Sequence, residues 1–147
     1  IKKNLINNAL TKTFWPGRLE KFYFKNIPFF LDGAHNVAGA QQLAKFLRID
    51  NKKTWLIIGM LNNKNIFLFL RSIKKYIDGV IAIKIPGEIN SFKEKEISNV
   101  CKKLNIVCIK QKNITKARNY LLKTIGPERV LITGSLYLIG KIRKLFI

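Results

Sequence analysis

Short apolar runs alternate with amphipathic stretches along this chain, and this alternation is the feature that most limits its fold. Apolar runs typical of strands lie at residues 18–24, 27–32, 55–59, 79–85, 106–109 and 129–133. Apolar residues recur at helical spacing at residues 37–47, 65–76, 91–104, 114–125 and 136–146. Strands linked by helices of about 10–15 residues run parallel, because the chain must cross over before it re-enters the sheet.

The alternation therefore predicts the α/β class, with a three-layer, mostly parallel, Rossmann-like sheet and helices on both of its faces. The first two runs lie too close together for a helix and meet near Lys25 and Asn26, which indicates an antiparallel hairpin added at the N-terminal side. A chain of 147 residues is long enough for one domain, which we place at residues 13–147. Residues 1–12 are predicted to be a linker or the end of a preceding domain.

The net charge of +20, from 28 basic and 8 acidic residues, raises the question of a polyanionic partner. The lysines are scattered, and they come with many isoleucines and asparagines, whose codons are also AT-rich. We therefore attribute the charge to genome composition and do not expect nucleic-acid binding. No apolar run approaches the roughly 18 residues that span a bilayer, so we expect a cytoplasmic protein without a membrane partner.

Three predicted strands end in polar or glycine-containing turns, at residues 32–36, 59–63 and 133–135. In open α/β sheets ligands bind beyond the carboxyl ends of the strands, and the helices that follow offer unpaired backbone N–H groups. The sequence therefore predicts an anion-binding edge at which these turns converge. Cys101 and Cys108 lack CxxC spacing and the chain has one histidine, so no metal site is predicted.

The side chains in and near these turns are candidate site residues, and each has a structural alternative. Asp32 is either a helix N-cap or a functional group, and His35 in the same turn leaves the two interpretations balanced. Ser135 is either a ligand donor or, as we favour, the cap of the last helix. Arg18 is either a surface strand residue or a side chain held in a fixed orientation by the turn at residues 15–17.

Two further local patterns concern helix starts. Residues 134–141 superficially resemble a phosphate loop, but five residues separate the glycines where that motif has four, and Ile142 stands where Ser or Thr would bind magnesium. We therefore predict a strand-to-helix turn followed by a helix. Ser91 and Glu94 have the spacing of a capping box, which predicts a helix that begins at Ser91.

A family resemblance rests on the same turns. Residues 15–20 (WPGRLE) followed by residues 31–36 (LDGAHN) are similar to the paired signature of folylpolyglutamate and dihydrofolate synthases, which belong to the Mur-ligase superfamily. Residues 59–65 (GMLNNKN) and 133–140 (TGSLYLIG) resemble the family's two later motifs. The resemblance extends from Phe14 to Phe146, and it identifies the chain as the C-terminal domain of such a ligase.

The resemblance implies an ADP-forming reaction in which ATP phosphorylates a carboxylate of a folate or dihydropteroate, and the amine of L-glutamate attacks the acyl phosphate to form an amide. It assigns Arg18 to the nucleotide phosphates and Asp32 to the nucleotide, through its ribose. It assigns His35 a catalytic position near the γ-phosphate and glutamate, and it places Ser135 at the glutamate. Both assignments to the nucleotide suit the chemistry, because guanidinium binds phosphate in fork geometry and carboxylate accepts from hydroxyl groups.

Two departures from the family limit what this chain is expected to do alone. The family has Lys-Asp where this sequence has Lys64-Asn65, so a carboxylate is lost. The family's phosphate loop, Mg²⁺ ligands and carbamylated lysine belong to an N-terminal ATPase domain, a partner in cis or in trans that this sequence does not include. The domain alone is therefore expected not to catalyse.

Three alternatives remain. The chain could be a non-catalytic anion- or nucleic-acid-binding module, or a degenerate gene fragment. It could also be a different amino-acid ligase of the same superfamily, although the paired signatures at residues 15–20 and 31–36 argue against that.

Overall fold

The structure is a computed structural model that describes residues 17–147. The strands are β1 Glu20–Phe24, β2 Ile27–Asp32, β3 Thr54–Ile58, β4 Gly79–Ala82, β5 Cys108–Lys110 and β6 Arg129–Thr133. The helices are α1 Val37–Leu47, α2 Ile66–Ile73, α3 Glu94–Lys103, α4 Ile114–Tyr120 and α5 Leu136–Ile142. Single turns of 3-10 or π geometry extend α2 to Tyr76, α4 to Ile125 and α5 to Leu145. The predicted linker at residues 1–12 lies outside the described part of the chain.

The six strands form one sheet in the order β1-β2-β6-β3-β4-β5. Only β1 is antiparallel to its neighbour, and the other four pairings are parallel. Lys25 and Asn26 join β1 to β2 with φ angles of 47° and 67°, as in a tight hairpin turn whose twist matches that of the strands. The predicted fold class, including the antiparallel addition, is confirmed.

Helices cover both faces of the sheet, which gives the predicted three layers. On one face α1, α2 and α3 pack over Leu56, Ile58 and Val80. On the other face α4 and α5 pack over alternate residues of the same strands, such as Ile57 and Ile81. Every residue of β3, β4 and β6 is buried, as expected of parallel strands covered on two sides. None of the helices within residues 17–147 has the length and apolar character needed to cross a membrane.

Several boundaries differ from the predicted ones. The predicted strand at 18–24 begins only at Glu20, because Leu19 has a left-handed φ of 48°. The predicted strand at 79–85 ends at Ala82, although residues 83–85 continue buried beyond it.

The predicted capping box at Ser91 is wrong. Helix α3 begins at Glu94, and its first turn is closed by the Lys93 N–H, which donates to Oε1 of Glu96 at 2.9 Å. Ser91 is buried instead, and its Oγ accepts from the Ile85 N–H at 2.9 Å. The hydroxyl is needed there because a buried N–H without a partner costs stability.

Two ionic contacts, each with one buried partner, tie the sheet to its surroundings. Glu20 in β1 accepts two short hydrogen bonds of 2.8 Å from the guanidinium of Arg143. At the start of β6, Arg129 donates to Oγ1 of Thr54 at 2.7 Å and pairs with Asp50 at 3.0 Å. Arg129 also donates to the carbonyl of Leu47 at 3.2 Å. It therefore joins the amino ends of β3 and β6 to the end of α1.

Replacing this buried arginine with lysine should destabilise the protein, although the charge is kept. In Arg129→Lys a single ammonium group cannot reach the three acceptors together, so we expect the free energy of unfolding to fall by about 2–4 kcal/mol. Urea denaturation measures this loss. Arg48→Lys, at an exposed arginine in the same region, is the control and should change the free energy by less than about 0.5 kcal/mol. Equal effects of the two changes would contradict the anchoring role.

Candidate functional site

The turns that follow β2, β3 and β6 meet at one edge of the sheet. Since β6 lies between β2 and β3, its final turn touches both neighbours. The Gly134 N–H donates to the carbonyl of Ala34 at 3.0 Å, and the Gly59 N–H donates to the carbonyl of Thr133 at 3.4 Å. The predicted convergence of these turns is therefore confirmed.

Gly134 sets how closely these turns approach. Its φ is +116°, and a Cβ atom at this position would lie 2.3 Å from the carbonyl oxygen of Gly59. Only glycine fits both the backbone conformation and the space. The close contact places Ser135, the next residue, between the turns after β2 and β3.

Asp32 joins two segments of the chain. Its Oδ2 accepts from the Leu19 N–H at 3.1 Å, and its Oδ1 accepts from the Ala34 N–H at 2.9 Å. Burial raises the pKa of Asp32 above its ordinary value of 3.8, while these two hydrogen bonds and the nearby charge of Arg18 act in the opposite direction. Asp32 is not the cap of α1, because the side chain of Asn36 accepts from the Gly39 N–H at 2.8 Å and caps that helix.

A cleft of about 480 Å³, here called the arginine cleft, opens beside this junction. Its walls include Arg18, Asp32, His35 and, from α1, Gln42. Arg18 is exposed to solvent, and Ala38 and Gly39 in the first turn of α1 line the same cleft. A guanidinium beside a helix N-terminus suits a phosphate or carboxylate ligand.

A second pocket of about 290 Å³, here called the lysine pocket, adjoins the arginine cleft. It is lined by Asn63, Lys64, Ser135 and Tyr137, among others. The two cavities share His35 and Leu136, so these side chains form the partition between them. Two ligands bound in the two cavities would therefore meet beside His35.

His35 is oriented by the backbone. Its Nδ1 lies 3.0 Å from the carbonyl oxygen of Gly33. A carbonyl can only accept, so Nδ1 carries a proton, and Nε2 is the ring nitrogen left for a ligand. The half-buried ring thus presents one defined nitrogen to whatever binds at the partition.

Ser135 caps α5, as favoured from the sequence. Its Oγ accepts from the Tyr137 N–H at 3.0 Å and from the Leu138 N–H at 3.4 Å. The side chain is buried beneath the lysine pocket. Its hydroxyl proton is still available to a ligand, so capping does not exclude the predicted role at the glutamate.

The departure at Asn65 has a local explanation. Asn65 caps α2, where its Oδ1 accepts from the Leu68 N–H at 3.1 Å. Asparagine serves as well as aspartate at this position of a helix. The neighbouring Lys64 lines the lysine pocket, so the basic residue of the pair faces the site while Asn65 holds the helix.

Sequence reasoning placed Arg18, Asp32, His35 and Ser135 at this edge, and all four line the two cavities. It missed Gln42, and it did not single out Asn63 or Tyr137, which lie in the predicted turn at residues 59–63 and in the motif at residues 133–140. The signal for Gln42 was its position one turn after Ala38 on α1, and Tyr137 stands two residues after Ser135.

A magnesium ion does not fit these residues by themselves. Magnesium prefers several oxygen ligands, chiefly carboxylates and phosphates. Asp32 is the one carboxylate among the residues that line the two cavities, and both of its oxygens already accept backbone N–H groups. Within residues 17–147 no group of three or more His, Cys, Asp or Glu side chains is placed to hold a metal ion.

The sequence has recognisable relatives. The family model described as "Dihydrofolate synthetase, C-terminal domain" matches residues 18–145. The probable dihydrofolate synthetase of Schizosaccharomyces pombe is 28% identical over 92% of this chain and 35% of its own length. The dihydrofolate synthase/folylpolyglutamate synthase of Bacillus subtilis is 30% identical over 98% of this chain and 33% of its own length. The chain thus spans about a third of these relatives.

Solved structures share the fold. The folylpolyglutamate synthase of Thermotoga maritima superposes with a TM-score of 0.78 at 25% identity, over 98% of this chain and 33% of that one. The Mycobacterium tuberculosis folylpolyglutamate synthase, solved with ADP and AMPPCP, has a TM-score of 0.77 at 21% identity, over 99% of this chain and 35% of that one.

A methyl group at Gly134 should force the turns apart. Gly134→Ala places a Cβ against the carbonyl of Gly59 in a backbone conformation that alanine rarely adopts, so we expect a loss of about 2–4 kcal/mol in urea unfolding. Gly140→Ala is the matched control, because nothing lies within 4 Å of its Cβ position in α5. That change should stabilise the protein by about 0.5–1 kcal/mol. A neutral Gly134→Ala would contradict the close contact.

The raised pKa of Asp32 should appear in the pH dependence of stability. Because the folded state favours the protonated acid, the contribution of this group is fully present below its unfolded value near 3.8 and is lost as pH rises through the folded pKa. The unfolding free energy of the native protein minus that of Asp32→Asn should therefore fall as pH increases above 3.8. Urea titrations at a series of pH values measure it, and a difference that rises with pH would contradict the shift.

Proposed function

Since this chain belongs to the family of dihydrofolate synthetase C-terminal domains, we propose that it is the nucleotide- and glutamate-binding part of an ATP-dependent folate–L-glutamate ligase. The observation that carries the proposal is the placement of Arg18, Asp32, His35 and Ser135 around two adjoining cavities at one sheet edge. The phosphoryl group of ATP and the amine of glutamate must both reach the same acceptor carboxylate, and this needs such adjoining sites.

The arginine cleft is proposed to hold ATP. The Arg18 guanidinium would bind phosphate oxygens in its fork geometry, and the backbone N–H groups at the start of α1 would add to the same positive field. Nucleotide complexes of neighbours support this, since the Mycobacterium tuberculosis enzyme was solved with ADP and AMPPCP and the Yersinia pestis enzyme with AMPPNP and Mn. When bound, a divalent metal would neutralise charge on the transferring phosphoryl group.

The lysine pocket is proposed to hold L-glutamate. Lys64 supplies a cation and Ser135 a hydroxyl to the carboxylates of the amino acid. The amine would then lie near the partition, where the acceptor's carboxylate, a folate or a dihydropteroate, is activated as an acyl phosphate. Attack of the amine on the acyl carbon forms the amide bond, and phosphate leaves with the electrons of the carbon–oxygen bond.

His35 is proposed to act at the meeting point. Its Nδ1 proton is held by the carbonyl of Gly33, so Nε2 would be the ring nitrogen available to the two ligands. As a neutral ring it would accept a proton from the attacking amine, and as a cation it would stabilise the departing phosphate. The ring orientation set by Gly33 suits both the proton-accepting and the phosphate-stabilising role.

Catalysis is proposed to need the part of the ligase that this chain does not match. The curated relatives are about three times as long as the matching segment. In the family that remaining part is the N-terminal ATPase domain, to which the phosphate loop and metal ligands belong. We propose that it acts with this domain in cis or in trans.

A chimera tests the proposal. In this chimera the present chain replaces the matching C-terminal third of the Bacillus subtilis relative. We expect ATP-dependent transfer of labelled L-glutamate to the acceptor, with ADP released. Arg18→Ala should raise the KM for ATP by about 10-fold or more, as expected for loss of a charge-assisted hydrogen bond. Arg48→Ala, at the opposite end of α1, is the matched control and should leave the KM unchanged.

An unchanged KM in the Arg18→Ala chimera would contradict the nucleotide assignment. A second measurement does not need the chimera to fold. Titration of the 147-residue chain with ATP should shift NMR signals of the arginine cleft in the millimolar range, and no shift there would contradict the proposal.

A further inference from the structure

The two cysteines of the chain share one face of the sheet. Cys101 lies in the last turn of α3, and Cys108 is the first residue of β5, the edge strand. In the parallel pairing of β4 with β5, Cys108 lies opposite Val80. Paired residues of neighbouring strands direct their side chains to the same face, and Val80 and Cys101 belong to one apolar cluster. The Cys108 side chain is packed against that cluster, on the face that α3 covers.

The connection between α3 and β5 keeps the two cysteines close. It consists of residues 104–107 alone. The carbonyl of Cys101 accepts from the Leu104 N–H at 3.1 Å and from the Ile106 N–H at 2.9 Å. Asn105, between them, has a left-handed φ of 56°, a conformation that asparagine adopts more readily than most residues and that often ends a helix. The chain therefore turns back beneath the end of α3 and enters β5 directly.

The two thiols differ in acidity and in exposure. The Cys101 thiol hydrogen-bonds to the sulfur of Cys108, and this bond together with burial raises the pKa of Cys101. The same hydrogen bond lowers the pKa of Cys108, with help from Ser98 and the charge of Lys110, although burial acts in the opposite direction. Cys101 is fully buried and Cys108 is half-buried. Because the thiolate is the form that oxidants attack, Cys108 is the reactive sulfur and Cys101 is the partner that keeps its proton.

We propose that Cys101 and Cys108 form a redox-active pair, in which a hydroperoxide oxidises Cys108 and Cys101 then closes an intramolecular disulfide between α3 and β5. With hydrogen peroxide, the Cys108 thiolate attacks one oxygen, an S–O bond forms as the O–O bond breaks, and a sulfenic acid and hydroxide result. The Cys101 sulfur then attacks the Cys108 sulfur, an S–S bond forms as the S–O bond breaks, and the oxygen leaves as water with the Cys101 proton. The two sulfurs lose two electrons, which the peroxide gains.

The disulfide would act on the edge of the sheet. Strand β5 has three residues and lies at the end of the strand order, and the new bond would tie it covalently to α3. Neither cysteine is among the residues that line the arginine cleft or the lysine pocket. The inference therefore does not rest on the proposed function, and each can fail without the other.

Peptide mapping of the native chain tests the bond directly. The reduced 147-residue chain is treated with a small excess of hydrogen peroxide, free thiols are blocked with N-ethylmaleimide, and the protein is digested with trypsin. Trypsin cleaves after Lys102 and Lys103, which lie between the cysteines, so the disulfide is detected as two linked peptides. We expect this linked pair from protein that stays monomeric on a non-reducing gel, and its loss after dithiothreitol. Oxidised protein without the linked pair, or with links only between chains, would overturn the proposal.

Reaction rates test which sulfur reacts first. In the native chain, iodoacetamide should alkylate Cys108 about 10-fold or more faster than Cys101, and in urea the two rates should become equal. This comparison needs no variant to fold. In Cys101→Ala, peroxide should leave Cys108 as a sulfenic acid that dimedone traps, because the second thiol is gone. Faster alkylation of Cys101 in the native chain, or no dimedone adduct in a folded Cys101→Ala protein, would contradict the assigned order.

Urea denaturation tests whether the bond fits the native fold. Closing the segment at residues 101–108 reduces the conformational entropy of the unfolded chain, so oxidation should raise the urea midpoint by about 1 M, and dithiothreitol should reverse the rise. Cys101→Ala treated with peroxide is the matched control and should show no such rise, because it cannot form the link. A linked native chain with an unchanged or lower midpoint would overturn the proposal, since the bond would then form only by distorting the packing of α3 on β5.

Discussion

The parallel pairing of β6 with both β2 and β3 is the interaction on which the rest of the structure depends. It joins the N-terminal hairpin to the remaining strands and buries β6 completely. At one end Arg129 ties it to β3 and α1, and at the other Gly134 packs against the turns after β2 and β3. Both cavities exist because this strand brings three separate turns to one place.

Much of the fold could be predicted from two signals. The spacing of apolar residues distinguishes helices from strands, and the length of chain between strands indicates whether they run parallel or antiparallel. The position of β6 could not, since apolar runs do not specify which strands become neighbours. The start of α3 was also missed, because Ser91 has the pattern of a cap while its hydroxyl is needed by the buried Ile85 N–H. The boundary of β1 was missed because Leu19 is left-handed, which nothing about leucine indicates.

The sequence predicted which residues line the candidate site, but it did not establish what each of them binds. Arg18, Asp32, His35 and Ser135 all reach the two cavities, as the turn chemistry and the family resemblance led us to expect. Their assignments to phosphate, nucleotide and glutamate remain predictions. Backbone groups were the part that the sequence could not reveal, because the Leu19 N–H and the Gly33 carbonyl act through conformation and not through side-chain identity.

The central place of β6 also has a consequence for the order of events during synthesis. Strands β2 and β3 leave the ribosome long before β6, and neither has its inner neighbour until then. Their unpaired edges stay open to wrong partners during this interval. Neither cavity can form in stages, since both need the turn after Thr133. The chain should therefore become able to bind ligands only late in translation, when both cavities form in one step.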